Sequence, residues 1–459
     1  MQERGKPLPI ETLPRQELER IQNRRLAYTL EIFRKESSFI HGLFRNNRIK
    51  PGDIRSKSDL LKAYSEKDFR ISSGLLVNNP EHLLTSYART HFSQPLWSSS
   101  LGRPKVVWYT KDSLKAFTEE MSMMLRAIGA EPGDKILGIL APPPFSSGTL
   151  TREACKENEL RLLELMVPMP IQYWYKVVNE FEPHYLFTSP KRALEIWGQL
   201  RQSNIPCENL FEKGIVVGGE ASSKELKGFL GEEFDCEIFD VLGLTEGLFC
   251  YECRFHEGLH IPETRFIVSC VDPETRKVLD DGEEGHVMIT PLYEEGETPG
   301  TCLFNYITGD VASILPSPCE CGQTFKRLGY PKKEEEMMVM DGAKLYAGSL
   351  QKVVVAYISD GLTGKYTVVE HKDKALKTIN SYEVKIQVHG EASSGKQGEI
   401  LSKMVEELTE SNPPAFDTIQ KWVTMGRFYI KFEGLEKYSE FERTRKPTKD
   451  KKLISIEDG

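Results

Sequence analysis

The chain has 459 residues, which at roughly 100–200 residues per domain predicts two to four domains or subdomains. Hydrophobic residues make up 39% and charged residues 28%, which excludes a disordered chain, a collagen and a small disulfide scaffold. The 60 basic and 68 acidic residues give a net charge of −8, which argues against a general nucleic-acid or anionic-membrane binder. A small anionic ligand needs only a local site and is not excluded.

Location and partners follow from what the sequence lacks. No stretch approaches the roughly 18 apolar residues of a membrane helix, and Met1–Arg15 has no apolar region of a secretory signal. Nine mostly scattered cysteines without such a signal predict reduced thiols in a cytoplasmic protein. We therefore expect neither a membrane nor a nucleic acid as partner.

The first part of the chain reads as a helical region followed by an α/β region. Residues 12–70 carry apolar positions at near-helical spacing, and from about 94 to 330 short apolar runs alternate with amphipathic stretches. Such alternation predicts parallel α/β layers. The predicted strands are Val106–Tyr109, Lys135–Leu140, His184–Phe187, Gly214–Val217 and Glu237–Val241. The predicted helices are Leu114–Ile128, Glu157–Met166, Gln172–Phe181, Lys191–Gln202 and Ser223–Leu230.

From 265 onward the pattern changes to strands separated by acidic and glycine turns, which predicts a β-rich subdomain up to 316. Its strands are Arg265–Val271, Glu284–Thr290 and Asp310–Leu315. The charged run at 332–336 is the best linker candidate, and a solvated loop is the simpler alternative. A last unit follows Gly342, with strands near Tyr382–Val388 and Arg427–Phe432 and a helix at Gly398–Thr409.

A serine- and glycine-rich segment, SSSLGRPK at 98–105, precedes the first strand of the α/β region. Small hydroxyl residues and a glycine allow backbone N–H groups and hydroxyls to wrap a polyphosphate, and Lys105 or Arg103 would add positive charge. The residues of this kind are Ser98, Ser99, Ser100 and Gly102. A Ser-rich turn before a strand is the commoner explanation of such a segment by itself.

The motif GLTEG at 243–247 directly follows the apolar strand Ile238–Val241. A carboxylate at the carboxyl end of a parallel strand lies where α/β sheets bind ligands, so Glu246 could hold Mg²⁺ against phosphates. The alternative is a strand-to-helix turn capped by Thr245.

The motif YITGD at 306–310 places an acid after a glycine turn. Asp310 in such a position can accept hydrogen bonds from both hydroxyls of a ribose. An ordinary β-turn is the commoner explanation of Gly-Asp when the segment is taken alone.

Together and in this order, the motifs resemble the adenylate-forming superfamily of acyl-CoA synthetases and luciferases, and within it the phenylacetate–CoA ligase-like group. The resemblance runs from about Ile49 to Lys452. Its further supports are IKPGDIRSKSDL at 49–60, AIGAEPGD at 127–134, VDPET at 271–275, DGEEG at 281–285 and PCECG at 318–322.

The resemblance implies an α/β fold. A large N-terminal domain of layered α/β subdomains plus a β-rich subdomain would be joined to a small mobile α+β C-terminal lid. On this basis the chain divides into an N-terminal helical region at 1–70, the large domain at 71–332, a hinge at 333–341 and the lid at 342–459. A homodimer is a further expectation from the same group.

The resemblance also implies residue roles, with ATP and Mg²⁺ as cofactors. The phosphate loop would be formed by Ser98, Ser99, Ser100, Gly102 and Lys105, and the adenine would lie beside Gly219 and Glu220. Phosphate and Mg²⁺ would be contacted by Gly243, Thr245 and Glu246, and the ribose would be held by Asp310. A mobile C-terminal lysine, which stabilises charge as a carboxylate attacks the α-phosphate, falls at Lys449, with Lys446 and Lys451 as rivals.

Several positions depart from the family pattern. Leu101 removes a threonine hydroxyl from the phosphate loop, and Leu242 replaces the aromatic ring that stacks on adenine. Ile307 and Lys333 each stand where an arginine is usual, and lysine lacks the bidentate fork of arginine. The segment 141–169, which commonly shapes the acyl pocket, lacks the usual glycine-rich and aromatic pattern, so the resemblance does not name the acid.

Four cysteine and histidine residues near the motifs have the composition of a structural zinc site. They are Cys253, His260, Cys319 and Cys321. Three sulfurs and one imidazole would form a closed tetrahedral site, and similar positions occur in part of the resembled group. His256 and Cys250 are competing ligands, and four unconnected residues of a reduced protein are the alternative.

Three functions remain open at this point. The leading hypothesis is an ATP-dependent ligase that adenylates a small, aryl or related carboxylic acid, releases pyrophosphate and passes the acyl group to a thiol, expected to be CoA. The second keeps adenylation but uses a non-CoA acceptor, because the 141–169 segment is altered. The third is a nucleotide-binding protein without catalysis, which Leu101, Leu242 and Ile307 motivate.

Overall fold

The computed structural model describes residues 7–98, 104–165, 169–316, 318–373, 378–390, 394–445 and 452–458. The helices are α1 Arg15–Glu36, α2 Ser38–Asn46, α3 Lys57–Lys67, α4 Ser73–Asn78, α5 Ser86–Thr90, α6 Lys111–Ala127, α7 Ser146–Glu157, α8 Ile171–Phe181, α9 Pro190–Gln202, α10 Lys224–Phe234, α11 Gln351–Ala356, α12 Ser394–Ser411, α13 Phe416–Thr424 and α14 Leu435–Arg445. None of the helices in these ranges has both the length and the apolar content that crossing a membrane requires.

The strands of the same ranges are β1 Ser93–Trp97, β2 Val106–Thr110, β3 Lys135–Gly138, β4 Arg161–Glu164, β5 Tyr185–Thr188, β6 Gly214–Gly218, β7 Ile238–Gly243, β8 Phe249–Tyr251, β9 Leu259–His260, β10 Phe266–Val271, β11 Gly285–Pro291, β12 Tyr306–Ala312, β13 Ile314–Leu315, β14 Arg327–Leu328, β15 Lys332–Lys333, β16 Met337–Met340, β17 Ala343–Tyr346, β18 Leu362–Asp373, β19 Ile379–Val388, β20 Phe428–Gly434 and β21 Leu453–Asp458.

The chain forms two compact units. The first contains Met1–Ser189, Leu210–Gly219 and Phe239–Pro331, and the second contains Pro190–Asn209, Glu220–Ile238 and Lys332–Gly459. The second unit therefore includes α9 and α10, which the division by motif order places in the large domain. The division differs because compact units follow packing, whereas the predicted boundaries follow the order of motifs along the chain.

A mixed sheet organises the first unit, with strand order β13-β14-β9-β8-β7-β6-β5-β3-β4. Strands β4, β3, β5 and β6 pair in parallel, with Ile136 of β3 opposite Leu162 and Tyr185. The buried runs YLFT of β5 and GIVVG of β6 are typical of parallel strands covered on both faces. The predicted α/β class is thus confirmed. Beyond β7 the pairing becomes antiparallel, a change that the strand–helix alternation did not predict.

The predicted helix Glu157–Met166 is wrong. Helix α7 ends at Glu157, and Glu159 then takes a left-handed φ of 55°, a conformation that ends helices. The following residues form β4, an edge strand whose Leu163 pairs with Leu137 of β3. Sheet pairing at the edge therefore replaces the helix that the apolar spacing suggested.

The β-rich region of the first unit is a second antiparallel sheet in which β11 lies between β10 and β12. The N-terminal helices share the core of this unit: Leu18 and Phe33 of α1 are buried in the same apolar cluster as Ile136 of the large sheet and Ile289 of β11. Residues 12–70 are therefore packed as part of the first unit.

The second unit is built on a four-stranded sheet of order β20-β19-β18-β21, with β18 antiparallel to β19 and the outer pairs parallel. One face packs on an apolar cluster that includes Leu408 of α12 and Trp422 of α13. The other face is covered by α14, where the Tyr438 hydroxyl lies 2.9 Å from Thr367 Oγ1. The predicted linker contains β15 and a 3₁₀ turn at Glu334–Glu336, so it is not a solvated loop throughout.

Arginine–carboxylate pairs connect the segment before β10 to the loop after β11 and to helix α6. The Arg265 side chain is 2% exposed and donates to Glu297 at 2.7 Å and to Glu119 at 2.8 Å. Burial alone would lower the pKa of Arg265, but the two carboxylates raise it above its ordinary value. The guanidinium therefore stays charged, and both carboxylates offset the free-energy cost of burying that charge.

We expect Glu297→Gln to lower the free energy of unfolding by about 3 kcal/mol, because it removes a partner from a buried charge. Urea denaturation followed by circular dichroism measures the change. The control is Glu17→Gln in the exposed pair of Glu17 with Arg20, which should cost less than about 0.5 kcal/mol. Equal effects of the two variants would contradict the importance of the buried pair.

Candidate functional site

The GLTEG motif forms the loop of a β-hairpin. Strand β7 pairs antiparallel with β8, with Gly243 opposite Phe249, and Leu244 N donates to Leu248 O at 2.9 Å to close the loop. Gly247 has a φ of 105°, which explains the glycine at the end of the motif. The alternative of a strand-to-helix turn is therefore wrong, because the next strand pairs back onto β7.

Lys105 and Glu246, two predicted site residues, lie in direct contact. Lys105 Nζ is 2.6 Å from Glu246 Oε1, and their side chains are 20% and 3% exposed. The ammonium also lies 5.5 Å from the centre of the Tyr306 ring. A buried carboxylate and a partly accessible lysine thus neutralise each other at the place where phosphate and a divalent cation are expected.

The predicted phosphate loop is described only at its two ends. Ser98 N donates to Lys105 O at 2.9 Å, and Lys105 N donates to Ser98 Oγ at 3.0 Å. These two bonds join Ser98 to Lys105, the residues at the two ends of the segment. Ser99, Ser100 and Gly102, like Leu101, lie outside the described residues, as do Lys449 and its rivals Lys446 and Lys451.

Thr245 is held through both its side chain and its backbone. Its Oγ1 lies 3.2 Å from Ser146 Oγ, and its carbonyl oxygen accepts a hydrogen bond from the Tyr109 hydroxyl at 2.9 Å. Ser146 is the first residue of α7, inside the 141–169 segment that departs from the family pattern. Neither Ser146 nor Tyr109 is singled out by the sequence motifs.

The YITGD motif forms an irregularity in the pairing of β12 with β11. His286 pairs with Val311, whereas Met288 pairs with Ile307, so β12 has two more residues than β11 between these pairs. Such bulges often re-aim a side chain beside a functional site. Asp310, 1% exposed, follows Gly309, whose φ is 90°.

Tyr306 connects this strand to the hairpin loop. Burial, followed by the neighbouring Glu246 and Asp310 carboxylates, raises the pKa of Tyr306 above its ordinary value, so its phenol remains neutral. Its ring lies under the Lys105 ammonium. The four groups therefore form one electrostatic cluster from three segments of the first unit.

The predicted adenine residues follow β6. A Cβ on Gly218 would lie 2.6 Å from Val241 Cγ2, so glycine is needed for β6 to approach β7. Gly219 is exposed with a φ of 84° and belongs to the first unit, whereas Glu220 belongs to the second. Leu242, the replacement for the stacking aromatic residue, is buried in the core of the first unit.

The four predicted zinc ligands come together in the antiparallel half of the large sheet. Cys253 follows β8, His260 lies in β9, and Cys319 and Cys321 lie between β13 and β14. Their ligand atoms all lie within 4.8 Å of one another. His256 is outside the group: its ring stacks on Phe239 at 5.3 Å, and its Nδ1 lies 3.2 Å from Glu252.

Two distances between the donor atoms are close to those of a tetrahedral zinc site. Bonds of about 2.3 Å to sulfur and about 2.1 Å to nitrogen require about 3.8 Å between sulfurs and about 3.6 Å between sulfur and nitrogen. The Cys253 and Cys319 sulfurs are 3.6 Å apart, and the Cys321 sulfur is 3.4 Å from His260 Nε2. Three thiols and an imidazole gathered within 4.8 Å form a donor set that suits zinc.

Comparison with known proteins identifies relatives of most of the chain. No family model matches it. It is 25% identical over 390 residues to the phenylacetate-coenzyme A ligase of Thermus thermophilus, covering 83% of each chain. It is 22% identical over 413 residues to that of Aromatoleum evansii, covering 87% of this chain and 88% of the relative.

Solved structures show the same fold. A 2-hydroxyisobutyryl-CoA ligase in the postadenylation state, in complex with 2-HIB-AMP, superposes with a TM-score of 0.80 at 13% identity, over 97% of this chain and 91% of that one. ATP-bound MatB from Rhodopseudomonas palustris has a TM-score of 0.52 at 13% identity, over 77% and 68%. The resemblance predicted from the motifs is thus confirmed: the chain is similar over most of its length to phenylacetate-coenzyme A ligases and shares the fold of a solved acyl-CoA ligase.

Proposed function

We propose that the protein is an AMP-forming acid–thiol ligase: it adenylates a small carboxylic acid with ATP and then forms a CoA thioester. The observation that carries the proposal is the convergence of Lys105, Thr245 and Glu246 on one hairpin loop. Similarity to phenylacetate-coenzyme A ligases over most of the chain supports the class of reaction. An aryl acid is the substrate class we propose first.

The site residues can be given roles in the first half-reaction. Glu246 would hold Mg²⁺, which supplies positive charge against the phosphates, and Thr245 would donate its hydroxyl to a phosphate oxygen. Lys105 would leave Glu246 and pair with a phosphate of the nucleotide. Asp310 would accept from the ribose hydroxyls, and its burial favours a well-defined acceptor position.

The remaining assignments rest on the resemblance alone. Ser98, Ser99, Ser100 and Gly102 would complete the phosphate loop, Gly219 and Glu220 would flank the adenine, and Lys449 would stabilise the developing charge. A hinge at 333–341 and a lid at 342–459 would let the small domain rotate between the half-reactions. Homodimerisation and a cytoplasmic location also stay predictions.

We expect carboxylate-dependent exchange of pyrophosphate with ATP, and a loss of about 100-fold or more in Glu246→Gln, which removes the charge proposed to hold Mg²⁺ against the phosphates. The matched control is Glu283→Gln, an exposed acid on the turn before β11, which should keep full exchange. Lys449→Ala should abolish exchange in the same assay. Full activity of Lys449→Ala with loss in Lys446→Ala or Lys451→Ala would move that role to the rival lysine.

The acceptor is tested by product analysis with and without CoA, using phenylacetate and a panel of related acids. We expect acyl-CoA and AMP with CoA, and enzyme-bound acyl-AMP without it. Acyl-AMP that persists unchanged in the presence of CoA would indicate another acceptor. Binding of ATP without pyrophosphate release from any acid would instead favour a non-catalytic nucleotide-binding protein.

We also propose that Cys253, His260, Cys319 and Cys321 bind a structural zinc ion. The fit of their spacing to tetrahedral coordination supports this proposal. With four protein ligands the site has no open position for substrate, so its role would be to join the β8–β9 segment to the loop before β14. The chemistry proposed at Glu246 does not require it.

We expect about one zinc ion per chain in protein purified without chelator, as a closed four-ligand site requires. Cys319→Ser should lower the zinc content measured by atomic emission to well below half of that value and lower the melting temperature. The control is Cys236→Ser, because Cys236 is a free, half-buried cysteine outside the group. Unchanged zinc content in Cys319→Ser would overturn the site.

A further inference from the structure

Three contacts to the hairpin that carries Thr245 and Glu246 come from one stretch of chain, which runs from Lys105 through β2 to α6. The first contact lies just before β2, where Lys105 pairs with Glu246. The second is the hydrogen bond from the Tyr109 hydroxyl to Thr245 O. The third comes from Glu120 of α6, whose Oε2 accepts from Phe249 N at 3.0 Å.

These three contacts differ in what ligand binding would do to them. The Lys105–Glu246 pair uses the two charged side chains that the proposed function assigns to phosphate and Mg²⁺, so binding must exchange it. The other two contacts end on backbone atoms, the Thr245 oxygen in the loop and the Phe249 nitrogen at the start of β8, and neither uses a side chain that the proposed function assigns to a ligand. Tyr109 is 3% and Glu120 is 1% exposed, so each bond satisfies a polar group that is shielded from bulk water.

A cavity of about 30 Å³ lies beside the hairpin loop, and its lining includes Glu246, Gly247, Tyr109 and Glu120. A space of this size can admit an ordered water molecule. The loop is anchored in the core by the buried side chains of Leu244 and Leu248. On the side of the cavity, the hydrogen bonds made by Tyr109 and Glu120 add to that packing in fixing the position of Thr245 and Glu246.

We propose that Tyr109 and Glu120 are positioning residues for the nucleotide site: they hold the hairpin loop so that Thr245 and Glu246 stay aimed at phosphate and Mg²⁺ once Lys105 releases Glu246. Neither residue touches substrate in this scheme. The inference rests on the proposed function and deepens it. It predicts that loss of either bond weakens use of Mg²⁺ and ATP while leaving recognition of the carboxylic acid unchanged.

Glu120 offers a conservative variant that tests the hydrogen bond separately from the charge. Burial raises the pKa of Glu120 well above its ordinary value, which favours the neutral form of the acid. Glutamine keeps a carbonyl oxygen of similar shape and can still accept from Phe249 N. Leucine fills a similar volume but accepts nothing.

The experiment measures pyrophosphate exchange as a function of Mg²⁺, ATP and acid concentration in Tyr109→Phe, Glu120→Gln and Glu120→Leu. We expect the Mg²⁺ concentration for half-maximal exchange to rise about tenfold in Tyr109→Phe and Glu120→Leu, as for loss of one buried hydrogen bond. The KM for the acid should not change, and Glu120→Gln should behave as the unmodified protein.

The matched control is Tyr293→Phe. Tyr293 is a buried tyrosine that lines the same cavity, but its hydroxyl bonds with Ser113 rather than with the loop. Its Mg²⁺ dependence should be unchanged. An equal shift in Tyr293→Phe and Tyr109→Phe, or equal loss in Glu120→Gln and Glu120→Leu, would overturn the proposal, because both results indicate a general packing defect.

Direct binding separates this inference from the proposed function. Calorimetric titration of the same variants with Mg²⁺ and ATP needs no turnover, and a melting curve of each variant establishes that it is folded. If the unmodified protein exchanges no pyrophosphate with any acid, the proposed function fails. The positioning roles then stand if Mg²⁺–ATP binding weakens in Tyr109→Phe but not in Tyr293→Phe, and fall if the two variants bind equally.

Discussion

The antiparallel pairing of β7 with β8 determines where both candidate sites lie. The pairing of Gly243 with Phe249 places Glu246 at the tip of the hairpin. Tyr251, the last residue of β8, pairs with His260 of β9, which brings His260 back towards Cys253. One reversal of the chain thus ends the parallel half of the large sheet, forms the loop that carries Glu246 and begins the cysteine and histidine cluster.

Burial of charge explains why Lys105 and Glu246 form an ion pair in the absence of ligand. Glu246 is almost completely buried, and a buried carboxylate is costly unless it is paired. Lys105 supplies that pairing from the end of the phosphate loop segment. Lys105 and Glu246 are also the residues proposed to contact the phosphates and Mg²⁺. Binding would therefore replace their ion pair with each other by pairs with the ligands.

The bulge in β12 and the hairpin loop of β7–β8 belong to different sheets, yet they meet at Tyr306. Its buried ring lies under the Lys105 ammonium, and its neutral phenol lies near Glu246 and Asp310. Two extra residues in β12 let the Thr-Gly-Asp segment leave regular pairing beside this ring. The site is therefore formed by irregular backbone in two sheets that pack on one hydrophobic core.

The sequence by itself determined the α/β class, most strands and helices, and the residue types of both sites, because apolar periodicity and short motifs depend on neighbours along the chain. It did not predict β4, where sheet-edge pairing outweighs helical spacing, or the hairpin after β7. The alternatives His256 and His260 were separated only by strand pairing, which turns His260 towards the thiols. Glu120 left one weak signal, a lone acid on the apolar face of α6, but its partner Phe249 is 129 residues away. Such contacts are decided by tertiary structure, because only folding brings distant segments within hydrogen-bonding distance.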